Sequence, residues 1–337
     1  MPITPTLTGR KYALFAMIAV SLSLALTVGC LAAAELSLHW RYGMNLWGYR
    51  GPSLGRKQPG EARIAVLGGS TAWGYGVAWD EAFPYYLAQE LTARRRQQGR
   101  GPVSIANLAF NNEAAHSFRY TLEDYEYLNY DVVLFYTGYN DLGGPNLSIF
   151  RHASPLFPST GVLLLLPSTF REWSMALRQG RHGDKTVFTP TAAKRAAAAA
   201  LETAGLVVTS LERQVGTLSR TIDDSQIPPE RDCPDRWQHY CTKLLAAVHY
   251  ALDRNKNVLV VTQPYLADSH VEQQRAVAAM LLSRFPADPR IIHVNLGRAV
   301  DVRDPILAFD GMHLTVTGNR RIADSLIEPV LRMIGEK

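Results

Sequence analysis

Five short apolar runs most constrain this chain: Ile64 to Leu67, Val103 to Leu108, Val132 to Tyr136, Val258 to Thr262 and Ile291 to Leu296. Runs of this length, rich in Val, Ile and Leu, read as strands buried on both faces. The segments between them are long enough for helices, as in Ala82 to Gln97 and Tyr240 to Asn255. Strands separated in this way are parallel, with helices covering both sides of the sheet. An open sheet of that kind binds its ligand outside the carboxyl ends of its strands, so chemistry is to be sought just beyond each run. The chain has 337 residues, 47% hydrophobic and 19% charged, which leaves room for one large domain or one carrying an insertion.

Ahead of this domain, Tyr12 to Ala34 contains no charged residue, a span of 23 that suffices for a membrane helix. Arg10 and Lys11 precede it in a tail without acid, which favours a cytoplasmic tail and a domain outside the cytoplasm. Arg41 and Arg50 beyond the span oppose that signal. Cleavage after Ala32 to Ala34, or lipidation at Cys30 in T-V-G-C, are the alternatives to an uncleaved anchor, although Thr27 suits a lipid-attachment site poorly. The expected organisation is a tail over 1–11, a transmembrane anchor over 12–34, a juxtamembrane linker over 35–62 and a domain over 63–337. Trp40, Tyr42, Trp47 and Tyr49 suit a linker that lies at an interface and then packs on the domain edge.

Cys233 and Cys241 close a short loop in C-P-D-R-W-Q-H-Y-C, which an oxidising compartment would bridge. Zinc is the rival, with only His239 and Asp235 nearby to complete a site. The net charge is +5 with pI about 9.1, but the basic residues are dispersed. The longest run, Arg94 to Arg96, has no aromatic residues interleaved with it, so it reads as a solvated helix end and no nucleic-acid partner is expected.

Polar residues gather where the runs end. The first leaves through G-G-S-T at Gly68 to Thr71, the second through N-L-A-F-N-N-E, and the third through Y-T-G-Y-N-D. This places Asn107, Asn111, Asn112, Asn140 and Asp141 along one rim, although either stretch alone is also ordinary turn chemistry. The last constellation is F-D-G-M-H-L-T, with Asp310 three residues before His313 and a helical pattern from Thr315 to Ile334. A serine hydroxyl needs a base in contact to become nucleophilic near neutral pH, and the base needs a partner to fix its tautomer. Ser70, His313 and Asp310 supply those three parts. Position 72 is Ala, so this is not a G-x-S-x-G elbow. No G-K-[ST] follows, so it is not a phosphate loop.

G-G-S-T with Ser70, N-L-A-F-N-N around Asn112, G-Y-N-D with Asn140 and D-G-M-H with Asp310 and His313 resemble, in order and spacing, the four sequence blocks of the SGNH (GDSL-like) hydrolases. The resemblance extends from about Gly48 to Ile334. It implies a flavodoxin-like three-layer α/β/α sandwich and acyl transfer on esters without metal or organic cofactor. By matching position, Ser70 is the nucleophile, His313 the base and Asp310 its orienting acid. The oxyanion donors are the backbone N–H of Ser70, the backbone N–H of Asn112 and the side-chain amide of Asn140. The chain departs from the pattern at Gly69, where many members carry Asp, and at Asn112, where the pattern has glycine.

Together, the charge-free span and the resemblance lead to the expectation of a membrane-anchored esterase acting on O-acyl esters, with O-acetyl groups of an exported polysaccharide as a candidate substrate. A transferase would pass the same acyl group to a sugar hydroxyl, and a non-catalytic carbohydrate-binding module is the alternative of another class. The insertion, about 142–236, holds the apolar run Val162 to Leu166 and a helical stretch from Thr191 to about Ile222. Substrate choice is expected to reside there. The apolar run reads as buried, with a wall beside the cleft or contact with the bilayer as alternatives.

Overall fold

The computed structural model describes residues 9–170, 196–197, 199–201, 203–204 and 232–335. The expected helix over 191–222 lies mostly outside the described residues. The chain divides into two compact units, Met1–Arg41 with Leu164–Val208, and Tyr42–Leu163 with Thr209–Lys337.

The larger unit holds five strands: β1 (Ala62–Gly68), β2 (Val103–Asn107), β3 (Val132–Thr137), β4 (Asn257–Thr262) and β5 (Ile291–Asn295). Each coincides with one of the five apolar runs to within two residues. All four pairings are parallel, and the strand order is β2-β1-β3-β4-β5. This is the flavodoxin-like order of a doubly wound sheet. Both β1 and β3 are buried along their whole length, as strands covered on two faces must be. Register sets Val66 opposite Asn107, Gly68 opposite Tyr136 and Thr137 opposite Thr262, so the carboxyl ends form one rim.

Helices fill the crossovers. The one-turn α2 (Ser70–Trp73) and α3 (Phe83–Gln97) follow β1, and α4 (Ala115–Asp124) follows β2. The short α5 (Phe157–Thr160) lies in the insertion, α6 (Gln238–Asp253) leads into β4, α7 (Asp268–Arg284) follows it, and α8 (Val316–Met333) follows β5. Among these, α3 packs with α8 and α4 with α6, giving two helical layers around the sheet. Cys233 and Cys241 form a disulfide just before and within α6.

α1 (Gly9–Tyr42), all but its last residue in the smaller unit, is 34 residues long. At 1.5 Å per residue it spans about 50 Å, more than the roughly 30 Å of a bilayer's hydrocarbon core. It is the one helix among the described residues that is long and apolar enough to cross a membrane, and Leu14, Ile18, Leu22 and Leu26 on it are exposed. Toward its end Glu35 is buried, 3.0 Å from His39 Nε2, and accepts the N–H groups of Leu165 (2.5 Å) and Leu166 (3.0 Å). Within the apolar run Val162 to Leu166, residues Leu163, Leu165 and Leu166 are buried.

Two titratable groups sit inside the larger unit with opposite consequences. Burial holds the His270 imidazole down at about 4, and its Nδ1 accepts the Leu266 N–H at 3.4 Å. Burial raises the Asp141 carboxyl to about 7, against the opposing hydrogen bond from the Ala115 N–H. Unfolded histidine protonates near ~6.5. His270 therefore contributes stability that is present above that pH and is lost as pH falls towards 4. Asp141 has the other sign: its contribution is fully present below the unfolded carboxyl value of ~3.9 and is lost as pH rises through about 7. Urea melts between those limits should show a shallower acid loss of stability in His270→Asn than in the wild type, and a steeper one in Asp141→Asn.

Candidate active site

The first strand ends against its neighbours with no spare room. A Cβ on Gly68 would lie 2.5 Å from the Tyr136 carbonyl oxygen, and one on Gly69 would lie 2.1 Å from Asn140 Nδ2 and 3.1 Å from the Glu113 carbonyl. Neither glycine has positive φ. Their value is close approach of backbone, by Gly68 to β3 and by Gly69 to the Asn140 amide and the Glu113 carbonyl, rather than a left-handed turn. The Asn140 amide occupies the space into which any side chain at position 69 would begin to project.

Ser70 opens α2, which is held from behind. Asn107 Nδ2 donates to the Ala72 carbonyl (3.1 Å), so this rim asparagine supports the helix. Arg50 is buried with its guanidinium 3.9 Å from the centre of the Trp73 ring. It donates to the carbonyls of Trp73, Gly74 (2.7 Å) and Val77 (2.5 Å), and to that of Tyr42 (3.3 Å). Burial lowers its pKa to about 10, against the pull of Asp80, and it stays charged.

The loop before α8 brings Asp310 and His313 to Ser70. A bridge between Ala308 and Leu314 closes its base, and Gly311 turns it with φ 81°. Asp310 Oδ1 accepts the N–H groups of Met312 (3.0 Å) and His313 (2.7 Å), while Oδ2 lies 2.7 Å from His313 Nδ1. Partial burial raises the Asp310 pKa, but the hydrogen bonds from the His313 N–H and ring and the Met312 N–H outweigh it and hold the carboxyl below its ordinary value. His313 Nε2 lies 2.9 Å from Ser70 Oγ. The three residues singled out in the sequence thus form one hydrogen-bonded chain, in which a carboxylate faces Nδ1 and a hydroxyl faces Nε2.

Asn140 reaches the strand end that carries Ser70, and Asn112 is joined to it through Asn146. Asn112 has φ 61°, the left-handed conformation that asparagine tolerates better than most residues, so a residue other than glycine fits the second block. Asn140 donates one amide hydrogen to the Glu113 carbonyl (2.7 Å), which sits against Gly69. The backbone N–H groups of Ser70 and Asn112 have no acceptor among the described residues. Asp141 points inward to the Ala115 N–H, and the Asn111 carboxamide oxygen is buried.

Two supporting residues, Asn146 and Arg151, were not singled out by the sequence. Asn146 Nδ2 donates to the carbonyls of both Asn112 (2.8 Å) and Asn140 (3.3 Å), tying the two segments together. Arg151, 1% exposed, donates to the carbonyls of Leu108 (2.7 Å) and Gly48 (3.1 Å) and to the hydroxyl of Tyr125 (2.9 Å). It also pairs with Glu113 Oε2 at 3.3 Å. Asn146 lies in G-G-P-N, which reads as a turn, and only its spacing after G-Y-N-D could have drawn notice.

No protein-family model matches the chain, and no curated protein matches it. Its structural neighbours are G-D-S-L lipolytic proteins and carbohydrate esterases. A family 3 carbohydrate esterase of Clostridium thermocellum is similar with a TM-score of 0.43 and 13% identity, over 81% of this chain and 98% of that one. A member of the lipolytic protein G-D-S-L family from Veillonella parvula DSM 2008 gives 0.41 and 11%, over 79% and 97%.

Gly69→Ala should cost about 1–3 kcal/mol, the range for an overpacked core position. Adding Asn140→Ala should recover part of that loss, because it removes the atom the new methyl meets. Gly143→Ala, where a Cβ meets nothing within 4 Å, should leave the urea midpoint unchanged.

Proposed function

We propose that this chain is a serine ester hydrolase of the SGNH type, held to a membrane by α1 with its domain outside the cytoplasm, and acting on O-acetyl esters of a polysaccharide. The observation that carries the reading is the hydrogen-bonded chain Ser70–His313–Asp310 beside the Asn140 amide. The fold supports it, since the site lies at the carboxyl ends of β1 and β3, where open α/β sheets bind ligands.

In this reading His313 Nε2 takes the Ser70 proton as Oγ attacks the ester carbonyl carbon. Asp310 keeps the proton on Nδ1 and stabilises the imidazolium that forms. The carbonyl oxygen becomes an oxyanion facing the backbone N–H groups of Ser70 and Asn112 and the second amide hydrogen of Asn140. Donors preorganised for the oxyanion act only as charge develops, which lowers the barrier to the chemical step. Collapse breaks the bond to the alcohol, whose oxygen receives the proton from His313. Water then repeats the sequence on the acyl-Ser70 ester, freeing acetate and restoring the serine. Asn146, holding the Asn112 and Asn140 carbonyls, is a positioning residue for the donors.

The test is incubation of the full-length chain in detergent with an acetylated oligosaccharide, with and without an unacetylated glycan. Free acetate in both reactions is the expected result; acetyl groups appearing on the added glycan would make the chain a transferase, and neither product would overturn the reading. Asn140→Ala should lower kcat by about 10² to 10³, roughly 2.7 to 4 kcal/mol, with little change in KM. Asn112→Gly keeps the backbone donor and should stay within about tenfold, below roughly 1.4 kcal/mol. A larger loss in Asn112→Gly than in Asn140→Ala would remove the backbone of residue 112 from the mechanism.

A further inference from the structure

Two large aromatic rings pack beside His313 without being buried. Tyr75 is 47% exposed with its ring centre 4.7 Å from that of the imidazole, and Phe309 is 48% exposed, stacked at 5.9 Å and 20°. Both rings are anchored through the loops that carry the chemistry. The Tyr75 N–H donates to the Ser70 carbonyl (2.9 Å) and the Phe309 N–H to the His313 carbonyl (3.0 Å). The Phe309 ring also lies on the Gly76 backbone, where a Cβ would come within 2.5 Å of it. Exposed apolar area held beside a reactive group marks a contact surface, because leaving it in water is unfavourable.

The direction of proton transfer decides which part of a substrate meets these rings. The base that deprotonates the serine returns the proton to the leaving oxygen, so the alcohol half of the ester must stand at His313 Nε2. The acyl half faces the other way, toward the Asn112 and Asn140 segments that Asn146 joins. Tyr75 and Phe309 therefore border the alcohol. An open pair of flat rings suits an alcohol that is apolar on one face and hydrated at its edges, as a pyranose is: its C–H face covers the rings while its hydroxyls stay in water.

We infer that Tyr75 and Phe309 form the subsite for the sugar ring that bears the acyl group, and so select a pyranose as the alcohol of the ester. The inference rests on the esterase reading above, and its test separates the two. The full-length chain is assayed by acetate release from a mono-O-acetylated methyl glucopyranoside and from ethyl acetate, which share the acyl group and differ in the alcohol. In Tyr75→Leu and Phe309→Leu, which keep apolar bulk but lose the flat ring, the ratio of kcat/KM for the sugar ester to that for ethyl acetate should fall at least tenfold. Tyr75→Phe and Phe309→Tyr should keep the wild-type ratio. Binding of the acetylated glucopyranoside to the full-length Ser70→Ala variant, followed by ligand NMR without turnover, should weaken at least tenfold when either Leu substitution is added. A ratio unchanged by the Leu substitutions, or binding that survives both, overturns the subsite while leaving the esterase reading standing. No acetate from either ester with the wild type overturns both.

Discussion

The hydrogen bond between Ser70 Oγ and His313 Nε2 joins residues 243 positions apart, and much of the larger unit serves to keep its two ends at one level. One end is fixed by β1, buried and paired on both sides. The other depends on where α8 begins. Thr315 caps that helix by accepting the Gly318 N–H at 3.2 Å, and buried Asn319 ties it to α3 by accepting the Phe83 N–H at 3.0 Å. Asn319 also donates to the carbonyls of Leu314 (3.2 Å) and Thr315 (2.9 Å). Gly318 allows the loop to pass directly beneath, since a Cβ there would lie 2.1 Å from the Leu307 carbonyl oxygen. Packing of α3 on α8 thereby holds the histidine loop over the strand that ends at the serine.

A second set of contacts draws the remaining segments against the same strand end. Gly69 admits the Asn140 amide, Asn140 holds the Glu113 carbonyl, and Asn146 spans the Asn112 and Asn140 carbonyls. Arg151 and Glu113 lie beneath them, a buried ion pair whose other hydrogen bonds go to Leu108, Gly48, Tyr125, Phe150 and Ser117. Removing one partner of such a pair would strand a charge in the interior, a loss of about 3–5 kcal/mol. Asn146 and Arg151 both belong to the start of the insertion. That segment therefore organises the site from behind, whatever its part in substrate choice.

The five strands were legible because a strand covered on both faces leaves an unbroken apolar run, and β1 and β3 are such strands. Ser70, Asp310 and His313 were legible because each lies beside a strand or helix end in a short, polar, glycine-containing stretch. Asn112 was legible as a departure, and its φ of 61° supplies the reason that asparagine serves there. Less could be read where a side chain acts on backbone. Asn146 donates to two carbonyl oxygens and Arg151 to two more, groups that every residue carries and that leave no trace in sequence. The crowding at Gly68 and Gly69 left no trace in sequence because the atoms that crowd them, from Tyr136 in β3 and Asn140 just beyond it, lie some seventy positions away. Tyr75 and Phe309 were not singled out by the sequence, and the fold sets both beside one imidazole.

In the proposed mechanism His313 makes Ser70 a nucleophile. Treatment of the full-length chain with a serine-directed fluorophosphonate, followed by peptide mass spectrometry, tests it without any assumption about substrate. The account predicts a single phosphonylated peptide carrying Ser70, absent in Ser70→Ala and labelled at least a hundredfold more slowly in His313→Ala. Labelling that persists in Ser70→Ala, or that proceeds at the wild-type rate in His313→Ala, would contradict it.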